Sequence, residues 1–528
     1  MPSTFFGLSI GQSGLNAAQI GVSTTGHNVS NANTKGYSRQ EILQSASRPI
    51  RSYSSSGMMG SGTDVTGITQ IRDIYYDRKY WTNQTLNGKY ESLSSYMQQL
   101  ENYFNETNLD GFTKEYNNVF SSLQSLKDNS SDTSYRAAFL QSCVSFTEYI
   151  NTLYSNVSNI QDDLNQQVAV TVNRINNIAS SIATINKQIN TVEMNGSSAN
   201  DLRDQRALLI DELSSIVPVE VDEKSLGNGV TTYDVKICNQ ILVSTYNHYE
   251  LRTEARADKK NYSDINGLYE IKWENGNDFN MYSSSINGEL KALIDMRDGC
   301  NGGFEQLVQG VDDNGAPLVD NNGNPIYTSL EISYDTGKLV TSYKGIPYYL
   351  NQLNQFAENY AKMFNDIVTE LGAQDLDGNQ VTENLFVTKY DPNMPVSALG
   401  IKVNDAYLNN LRLLPTGTNM QDGVENTDIV DKMLALKTTE FLNSNSPAGF
   451  LESIIAQIAT DTKIARTFEK NYSGLSKIID NQRMSISGVD SDEEGMNLAK
   501  YQHAYELSSK MIQVLTEMYD RLILETGV

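Results

Sequence analysis

The C-terminal segment carries a heptad pattern of apolar residues, and this pattern limits the possible folds more than any other feature of the chain. The apolar positions are spaced alternately three and four residues apart, and Ser508 is the polar residue in the series. They are Leu498, Tyr501, Tyr505, Ile512, Leu515, Tyr519 and Leu522. Because neither proline nor glycine occurs between Met496 and Thr526, the pattern predicts one long helix with a narrow apolar seam. Ser491 and Glu494 have the spacing of a capping box at its start.

A second seam lies near the N-terminus. Leu8, Leu15, Val22 and Val29 are seven residues apart, and small residues occupy the companion positions. We therefore expect the two terminal seams to be mates, and we expect them to serve assembly. Several glycines lower the intrinsic stability of the N-terminal helix, so it is predicted to be weakly folded until partners arrive. A two-helix hairpin within a monomer is the alternative that the periodicity leaves open.

The composition argues against several classes of partner. The chain has 528 residues, with 40 Lys and Arg against 64 Asp and Glu, and its formal net charge is −24. Such a surface repels phosphate groups, so we expect no nucleic acid and no membrane among the partners. The sequence contains no apolar run that could cross a bilayer and no pattern of a cleaved signal peptide. The protein is predicted to stay inside the cell or to leave it by a route that reads no such signal.

The order of predicted elements indicates an α+β multidomain fold. Helical segments alternate with segments of period two, which predict antiparallel strands. We expect a long-helix bundle with paired terminal coiled-coil helices and an antiparallel β outer portion, and a break at 128–133 in the helical stretch between Gly111 and Gly196. The predicted domains are a terminal helical assembly domain (1–60 and 485–528), a helical core domain (61–215, 286–300, 346–372 and 428–484), a β-rich outer domain (216–285 and 373–427) and a β-hairpin insertion (301–345).

Candidate catalytic and metal-binding patterns are weak. Residues 7–11 match the G-x-S-x-G pattern of a hydrolase elbow around Ser9, but too few residues precede it to form the strand that such an elbow needs. Residues 375–379 are similar to a calcium loop with its glycine in the wrong position. We therefore predict no enzymatic activity, no catalytic residue, no metal site and no cofactor. Free thiols are expected at the three cysteines, which lack paired spacing: Cys143, Cys238 and Cys300.

The N-terminal motif resembles that of a known family. Residues 13–19 and 27–40 closely resemble the N-terminal motif of bacterial flagellar rod, hook and hook-associated proteins. The ending Gly-Tyr-Ser-Arg-Gln at 36–40 is more similar to hook-associated members, and segments 201–213, 288–298 and 487–502 agree with the same members. The candidate site residues of this family motif are Asn28, Asn31, Asn33, Gly36, Tyr37, Arg39 and Gln40.

This resemblance implies a structural subunit of the extracellular flagellum. Hook-associated members of this kind are exported unfolded by the flagellar type III apparatus, without a cleaved signal peptide, and add as a layer that joins hook to filament. The implied partners are copies of the chain in a ring layer, the flagellar hook protein, a second junction protein adjoining the filament and a cytoplasmic export chaperone. The alternatives are another axial protein, either hook-like or flagellin-like, and a non-flagellar helical surface protein.

Overall fold

Long helices make up most of the fold. The structure, a computed structural model, describes residues 5–51, 57–104, 111–283, 285–312, 315–334, 341–418, 426–442 and 444–526. The helices are α1 (Phe6–Asn31), α2 (Ile74–Phe104), α3 (Phe112–Asp128), α4 (Thr133–Glu193), α5 (Asn200–Ile216), α6 (Glu289–Asp298), α7 (Ile346–Val368), α8 (Asp405–Asn409), α9 (Asp428–Ala435), α10 (Pro447–Ser487) and α11 (Ser491–Thr526). This architecture, in which α1 packs against α11, confirms the predicted α+β multidomain class with paired terminal helices.

The strands are short and pair in antiparallel fashion, as the period-two segments predicted. They are β1 (Gln40–Ala46), β2 (Ile50–Arg51), β3 (Met58–Met59), β4 (Thr63–Gln70), β5 (Val219–Gly227), β6 (Val230–Ile237), β7 (Gln240–Ser244), β8 (Asn247–His248), β9 (Leu251–Ala255), β10 (Tyr269–Trp273), β11 (Phe304–Gln309), β12 (Tyr327–Ser333), β13 (Phe386–Thr388) and β14 (Ile401–Val403). Strands β5 to β8 form one sheet in sequence order, and the other pairs are β1 with β4, β2 with β3, β9 with β10, β11 with β12, and β13 with β14. Within the predicted insertion, β11 and β12 therefore form an antiparallel hairpin.

The predicted break in the first helical stretch is confirmed. Helix α3 ends at Asp128 and α4 begins at Thr133, with turn residues between them. Helix α4 then runs for 61 residues because its sequence contains no glycine or proline. A row of apolar residues along α4 is buried almost completely: Val157, Ile160, Leu164, Val168, Ile175, Ile182 and Ile189 are each at most 1% exposed.

The start of α11 differs from the predicted capping box. The side chain of Asp490 caps this helix, because its Oδ1 accepts hydrogen bonds from the backbone N–H groups of Asp492 (2.9 Å) and Glu493 (3.2 Å). Ser491 is the first residue inside the helix. Glu494 does not reach back to the cap, because its carboxylate is engaged by side chains from the N-terminal segment, as described below. The capping-box prediction was therefore wrong in two respects. The capping residue is Asp490 and not Ser491, and Glu494 binds Asn28 and Arg39 instead of the cap.

The residues group into two compact units. The terminal unit comprises residues 1–87, 174–250 and 471–528, and it contains the α1 and α11 pair, α5 and the sheet of β5 to β8. The middle unit comprises residues 88–173 and 251–470 and contains α3, α6, α7 and the hairpin of β11 and β12. These units divide the chain at other points than the four predicted domains, and the four-part division stays a prediction.

The middle unit buries a carboxyl group without a neighbouring cation among the described residues. Glu305, on β11, is 1% exposed, and its Oε2 accepts a hydrogen bond of 2.8 Å from Asn354 Nδ2, on α7. The pKa of Glu305 is raised to about 8, chiefly by burial; the hydrogen bond from Asn354 opposes this shift, and the nearby carboxylate of Glu358 adds to it. Glu305 is therefore protonated in the folded chain over most of the physiological pH range.

Glu305 should make the stability of the chain fall as pH rises. Its pKa lies above the ordinary glutamate value, so its stabilising contribution is fully present below about pH 4.5 and is lost as pH rises to about 8. In the wild type, the free energy of unfolding should fall as pH rises across this interval. We expect Glu305→Gln to make that fall smaller by a few kcal/mol. Urea unfolding between pH 5 and pH 9 measures it, with exposed Glu331→Gln on β12 as the control. An equal slope in the Glu305→Gln variant and the wild type would show that this carboxyl is ionised when folded.

Candidate assembly site

Glycines on α1 let the two terminal helices approach closely. A Cβ added at Gly21 would lie 2.5 Å from Cδ1 of Tyr501, and one added at Gly11 would lie 2.8 Å from Cγ1 of Ile512. Both distances are far below van der Waals contact, so only glycine fits at these positions against the side chains of α11. Three of the glycines on α1 thus seat large side chains of its partner helix: Gly7, Gly11 and Gly21.

We expect Gly21→Ala to weaken the terminal pair. The added methyl group must displace the Tyr501 ring, at a cost of about 1–3 kcal/mol. Gly26→Ala is the matched control on the same helix, because nothing lies within 4 Å of a Cβ there, and it should stabilise α1 by about 0.5–1 kcal/mol. Hydrogen exchange of α1 amides reports both effects: faster exchange for Gly21→Ala and slower exchange for Gly26→Ala. Identical exchange in the two variants would show that α1 and α11 are not packed in the free chain.

Most of the predicted seam residues are half-buried, and the others are exposed to solvent. On α1, Leu8, Leu15 and Val22 are half-buried, and Val29 is 45% exposed. On α11, the half-buried members of the seam are Leu498, Tyr501, Ile512, Leu515 and Tyr519, while Tyr505 and Leu522 are 40% and 50% exposed. Several of them face the small residues of α1, and the Tyr519 ring packs 5.0 Å from the ring of Phe5.

Helix α11 also carries a second apolar row, which the sequence reasoning missed. This outer stripe consists of Leu507, Met511, Val514 and Met518, which are 57%, 41%, 55% and 59% exposed. At about 100° per residue, it lies roughly a quarter-turn or more around α11 from the side that faces α1. Its spacing of four, three and four residues is the same heptad signal as the predicted seam. A search for two seams on one helix would have found it.

Asn28, on the last turn of α1, is the centre of the predicted motif. It is 1% exposed. Its Oδ1 accepts hydrogen bonds from the Tyr37 hydroxyl (2.7 Å) and the Gln40 N–H (3.0 Å). Its Nδ2 donates to the Gln40 carbonyl (2.8 Å) and to Glu494 Oε2 (3.1 Å). These four bonds use the full capacity of the amide, so Asn28 ties α1 to the loop that follows it and to α11.

Arg39 completes this junction from the other side of Glu494. Its Nε donates to Glu494 Oε1 at 2.8 Å, and its Nη1 donates to Glu493 Oε2 at 3.0 Å. Glu494 is 2% exposed, so its carboxylate is held by one arginine and one amide in a desolvated position. We refer to Asn28, Tyr37, Arg39, Gln40 and Glu494 as the motif hub. Burial, followed by nearby carboxylates, raises the pKa of Tyr37, which keeps its hydroxyl a donor to Asn28.

The N-terminal turn of α5 holds the loop between α1 and β1. Asp201 Oδ1 accepts a hydrogen bond of 2.7 Å from Gln40 Nε2, and Asp204 Oδ2 accepts one of 2.8 Å from the Ser38 N–H. Gly36 has a φ of +82°, and a Cβ there would meet Leu208 Cδ1 at 3.3 Å. Segments 27–40 and 201–213, which are separate motifs in the sequence, therefore contact each other in the structure.

A buried ion-pair network lies in the same unit, and the sequence reasoning did not identify it. Arg72 makes a bidentate pair with Asp77, with bonds of 2.7 and 2.9 Å. Arg483 binds Asp211 at 2.6 Å, and the same carboxylate accepts a 2.7 Å bond from Trp81 Nε1. Asp211 is far in sequence from both Arg483 and Trp81, so spacing could not reveal these contacts. They fix α2, α5 and the end of α10 around the loop that carries the motif.

Two motif residues lie outside the hub. Asn31 bonds locally: its Nδ2 donates to the His27 carbonyl at 3.1 Å, and its Oδ1 accepts from Thr34 at 3.2 Å. Asn33 is exposed. Of the predicted motif, the structure therefore brings together Asn28, Tyr37, Arg39 and Gln40, with Gly36 forming the turn between them.

The candidate catalytic and metal patterns have ordinary structural roles. Ser9 lies inside α1, and its hydroxyl donates to the Phe6 carbonyl at 2.7 Å, so it is not held on a strand-to-helix elbow. In the 375–379 loop, Asp375 accepts bonds from backbone N–H groups, and Asp377 is paired with Arg412. Among the described residues, no cluster of His, Cys, Asp or Glu has the makeup of a metal site, and no helix is long and apolar enough to span a membrane. All three cysteines are free thiols.

Comparisons with known proteins agree with this architecture. The family model of the flagellar hook-associated protein FlgK helical domain matches residues 97–386, which is more than half of the chain. Models of the flagellar basal body rod FlgEFG protein C-terminal region and of the flagella basal body rod protein match residues 480–524 and 8–37. The two rod-type matches thus cover most of α11 and α1, the helices that pair in the structure.

Similar proteins align along nearly the whole chain. Flagellar hook-associated protein 1 of Bacillus subtilis is 28% identical over 100% of this chain and 99% of its own length. The protein of the same name from Salmonella typhimurium is 25% identical over 97% of this chain and 98% of its own length. The structure of the flagellar hook junction protein FlgK from Burkholderia pseudomallei has a similar fold, with a TM-score of 0.56, 13% identity, and coverage of 78% of this chain and 100% of that one.

The paired terminal helices and the motif hub, together with these matches, define a structural axial protein of the bacterial flagellum. The chain belongs to the flagellar hook-associated protein FlgK family.

Proposed function

We propose that this chain is a structural, non-enzymatic subunit of the layer that joins the flagellar hook to the filament. The observation that carries the proposal is the outer stripe of α11, which leaves four large apolar side chains in solvent beside a helix pair that is already packed. Contiguous exposed apolar rows of this kind mark interaction surfaces. Relatives named hook-associated protein 1 match this chain from end to end, which supports the same assignment.

Neighbouring copies of the chain cover the outer stripe in this proposal. Burying one Leu, Met or Val side chain contributes about 1.5–3 kcal/mol, so four such residues supply much of the affinity of a helix-to-helix contact. The α1 and α11 pair would then act as a unit that presents one seam inward and one stripe outward. The complete set of seam residues predicted from the sequence, including exposed Val29, Tyr505 and Leu522, belongs to this proposed assembly surface.

The motif hub sets how the terminal pair is attached. Asn28 and Arg39 both bind Glu494, so the end of α1 and the start of α11 are held to each other and to the loop that α5 supports. We propose that this rigid attachment transmits the orientation of the helix pair to the rest of the terminal unit. The predicted motif residues Asn31 and Asn33 would then act at the surface of the same loop.

The remaining partners and the route of export follow from the family. The proposed neighbours are the hook protein, a second junction protein adjoining the filament and, before export, a cytoplasmic chaperone. The chain would leave the cell unfolded by the flagellar type III apparatus without a cleaved signal peptide and would reside in the extracellular flagellum. The free thiols support passage as an extended chain, because no described disulfide would have to be reduced first.

Deletion of the gene tests the function directly. We expect cells that lack the protein to carry hooks without filaments in electron micrographs, because the filament has no layer on which to grow. Expression of the wild-type chain from a plasmid should restore filaments. Filaments of normal number and length on the deletion strain would contradict the proposal.

A further inference from the structure

Helix α10 carries an apolar row on its solvent side. Ile464, Phe468, Leu475 and Ile478 are 48%, 40%, 42% and 56% exposed, and they follow one face of the helix with spacings of four, seven and three residues. The gap in the row is filled by Asn471. The buried face of α10 is formed by other residues: Ile458, Thr462, Ala465 and Ile479, which are at most 3% exposed. The inner face of the helix is therefore packed against the chain, and its outer apolar row is partly exposed to solvent.

The row is only partly covered by the chain itself. The Phe468 ring stacks on Tyr90 with a centroid distance of 4.9 Å, yet 40% of this residue stays exposed. Single exposed apolar residues are common on protein surfaces, but four at heptad spacing form a seam that is typical of a helix with a mate. The outer row of α10 therefore indicates an interaction surface and not a random surface composition.

Lysines flank this row at regular intervals. Lys463, Lys470 and Lys477 are seven residues apart and exposed, and no described carboxylate lies within 4.0 Å of their amino groups. Between residues 463 and 478 there are four basic residues and one acidic residue, whereas the whole chain has a net charge of −24. We call the apolar row and these lysines the lysine-flanked stripe. It is a basic, partly apolar surface on an acidic protein.

We propose that the lysine-flanked stripe is a subunit interface, covered by an acidic helical surface of a second copy of this chain. The inference rests on the proposed function, which places many copies side by side in a layer. The surface of a second copy is acidic and so complements the three lysines. The stripe also lies on the helix that leads directly into α11, whose outer stripe is the proposed assembly surface.

The charge pattern also determines the kind of contact. Two lysine-flanked stripes facing each other would bring like charges together, which disfavours pairing of the stripe with itself. We therefore propose a head-to-tail contact, with a different surface contributed by each copy. Head-to-tail contacts generate closed rings or helical arrays, whereas self-complementary contacts generate dimers. The stripe is thus suited to a ring layer and unsuited to a two-fold dimer.

Thiol labelling of Ile478→Cys in the full-length chain tests both parts of the proposal. The background carries Cys238→Ser, because Cys143 and Cys300 are buried and Cys238 is half-buried. A maleimide should label the introduced thiol in the soluble chain and label it at least tenfold more slowly in junction layers on isolated hooks. Equal labelling in both states overturns the interface, and disulfide dimers formed between introduced thiols in the layer overturn the head-to-tail contact. Hooks that contain none of the chain would instead reject the proposed function itself.

Charge reversal tests the acidic partner. We expect the triple variant Lys463→Glu, Lys470→Glu and Lys477→Glu to reduce the number of filament-bearing cells at least tenfold. Because these lysines are exposed, the variant should keep the wild-type unfolding midpoint. The triple replacement by arginine should support filaments normally. Lys187→Glu, an exposed residue of α4, is the single-site control and should also be normal. Normal filaments on the triple glutamate variant would show that the covering surface is not acidic.

Discussion

Asn28→Asp is expected to destabilise the terminal unit more than any other single change in the motif. The new carboxylate would lose the donor that binds Glu494 and the Gln40 carbonyl, and it would face the buried Glu494 carboxylate at about the 3.1 Å of the present bond. Two acceptors at that distance repel each other, and we expect a cost of about 3–5 kcal/mol. Urea unfolding of the purified chain measures the loss.

Two further variants identify the cause. Asn33→Asp changes an exposed asparagine of the same loop and should alter the unfolding free energy by less than about 0.5 kcal/mol. Adding Glu494→Gln to Asn28→Asp supplies a donor again and should recover a substantial part of the lost stability. If the double variant is no more stable than Asn28→Asp alone, repulsion at Glu494 is not the reason for the loss.

Two adjacent residues of α11 should respond to aspartate in opposite ways. Leu515 is half-buried, and its Cδ1 lies 3.1 Å from the position of a Cβ at Gly7, so Leu515→Asp places a charge in the packed contact with α1. We expect it to destabilise the terminal pair of the free chain by several kcal/mol. Val514 is 55% exposed on the outer stripe, so Val514→Asp should change the stability of the free chain by less than about 0.5 kcal/mol.

Hydrogen exchange of α1 and α11 amides in the soluble chain distinguishes the two variants. Exchange should be much faster in Leu515→Asp and unchanged in Val514→Asp. Similar exchange rates in both variants would mean that the pair of terminal helices is not formed before assembly. In that case the glycine-rich N-terminal helix would be weakly folded in the free chain, as the sequence predicts.

Periodicity predicted the elements of this fold well, because local sequence determines where long helices can run. The extent of α4 follows from the absence of glycine and proline in its sequence, and the break before Thr133 follows from turn residues. The pairing of α1 with α11 was also predictable, because two narrow seams of similar length need mates. The cap at Asp490 was missed because Ser491 offers an equally good capping sequence, and only the backbone conformation decides between them.

The geometry of the assembly site was less predictable. The motif around residues 27–40 was visible in the sequence, but its partners Asp201, Asp204 and Glu494 come together with it only through the tertiary fold. The role of Asn28 as a fully bonded amide could not be inferred from spacing. The outer stripe of α11 was missed for another reason. One seam already accounts for a heptad pattern, so the sequence alone does not distinguish a second apolar row on the same helix from ordinary surface residues.

Electron microscopy of filaments on deletion cells that express Val514→Asp tests the central claim most directly. The outer stripe is exposed in the single chain, so this variant should be made and folded at wild-type levels and should be recovered as a stable protein. If neighbouring subunits bury the stripe, a carboxylate there costs several kcal/mol in the layer, and we predict hooks without filaments. Filaments as numerous and as long as those of the wild type would show that the outer stripe of α11 is not an assembly surface.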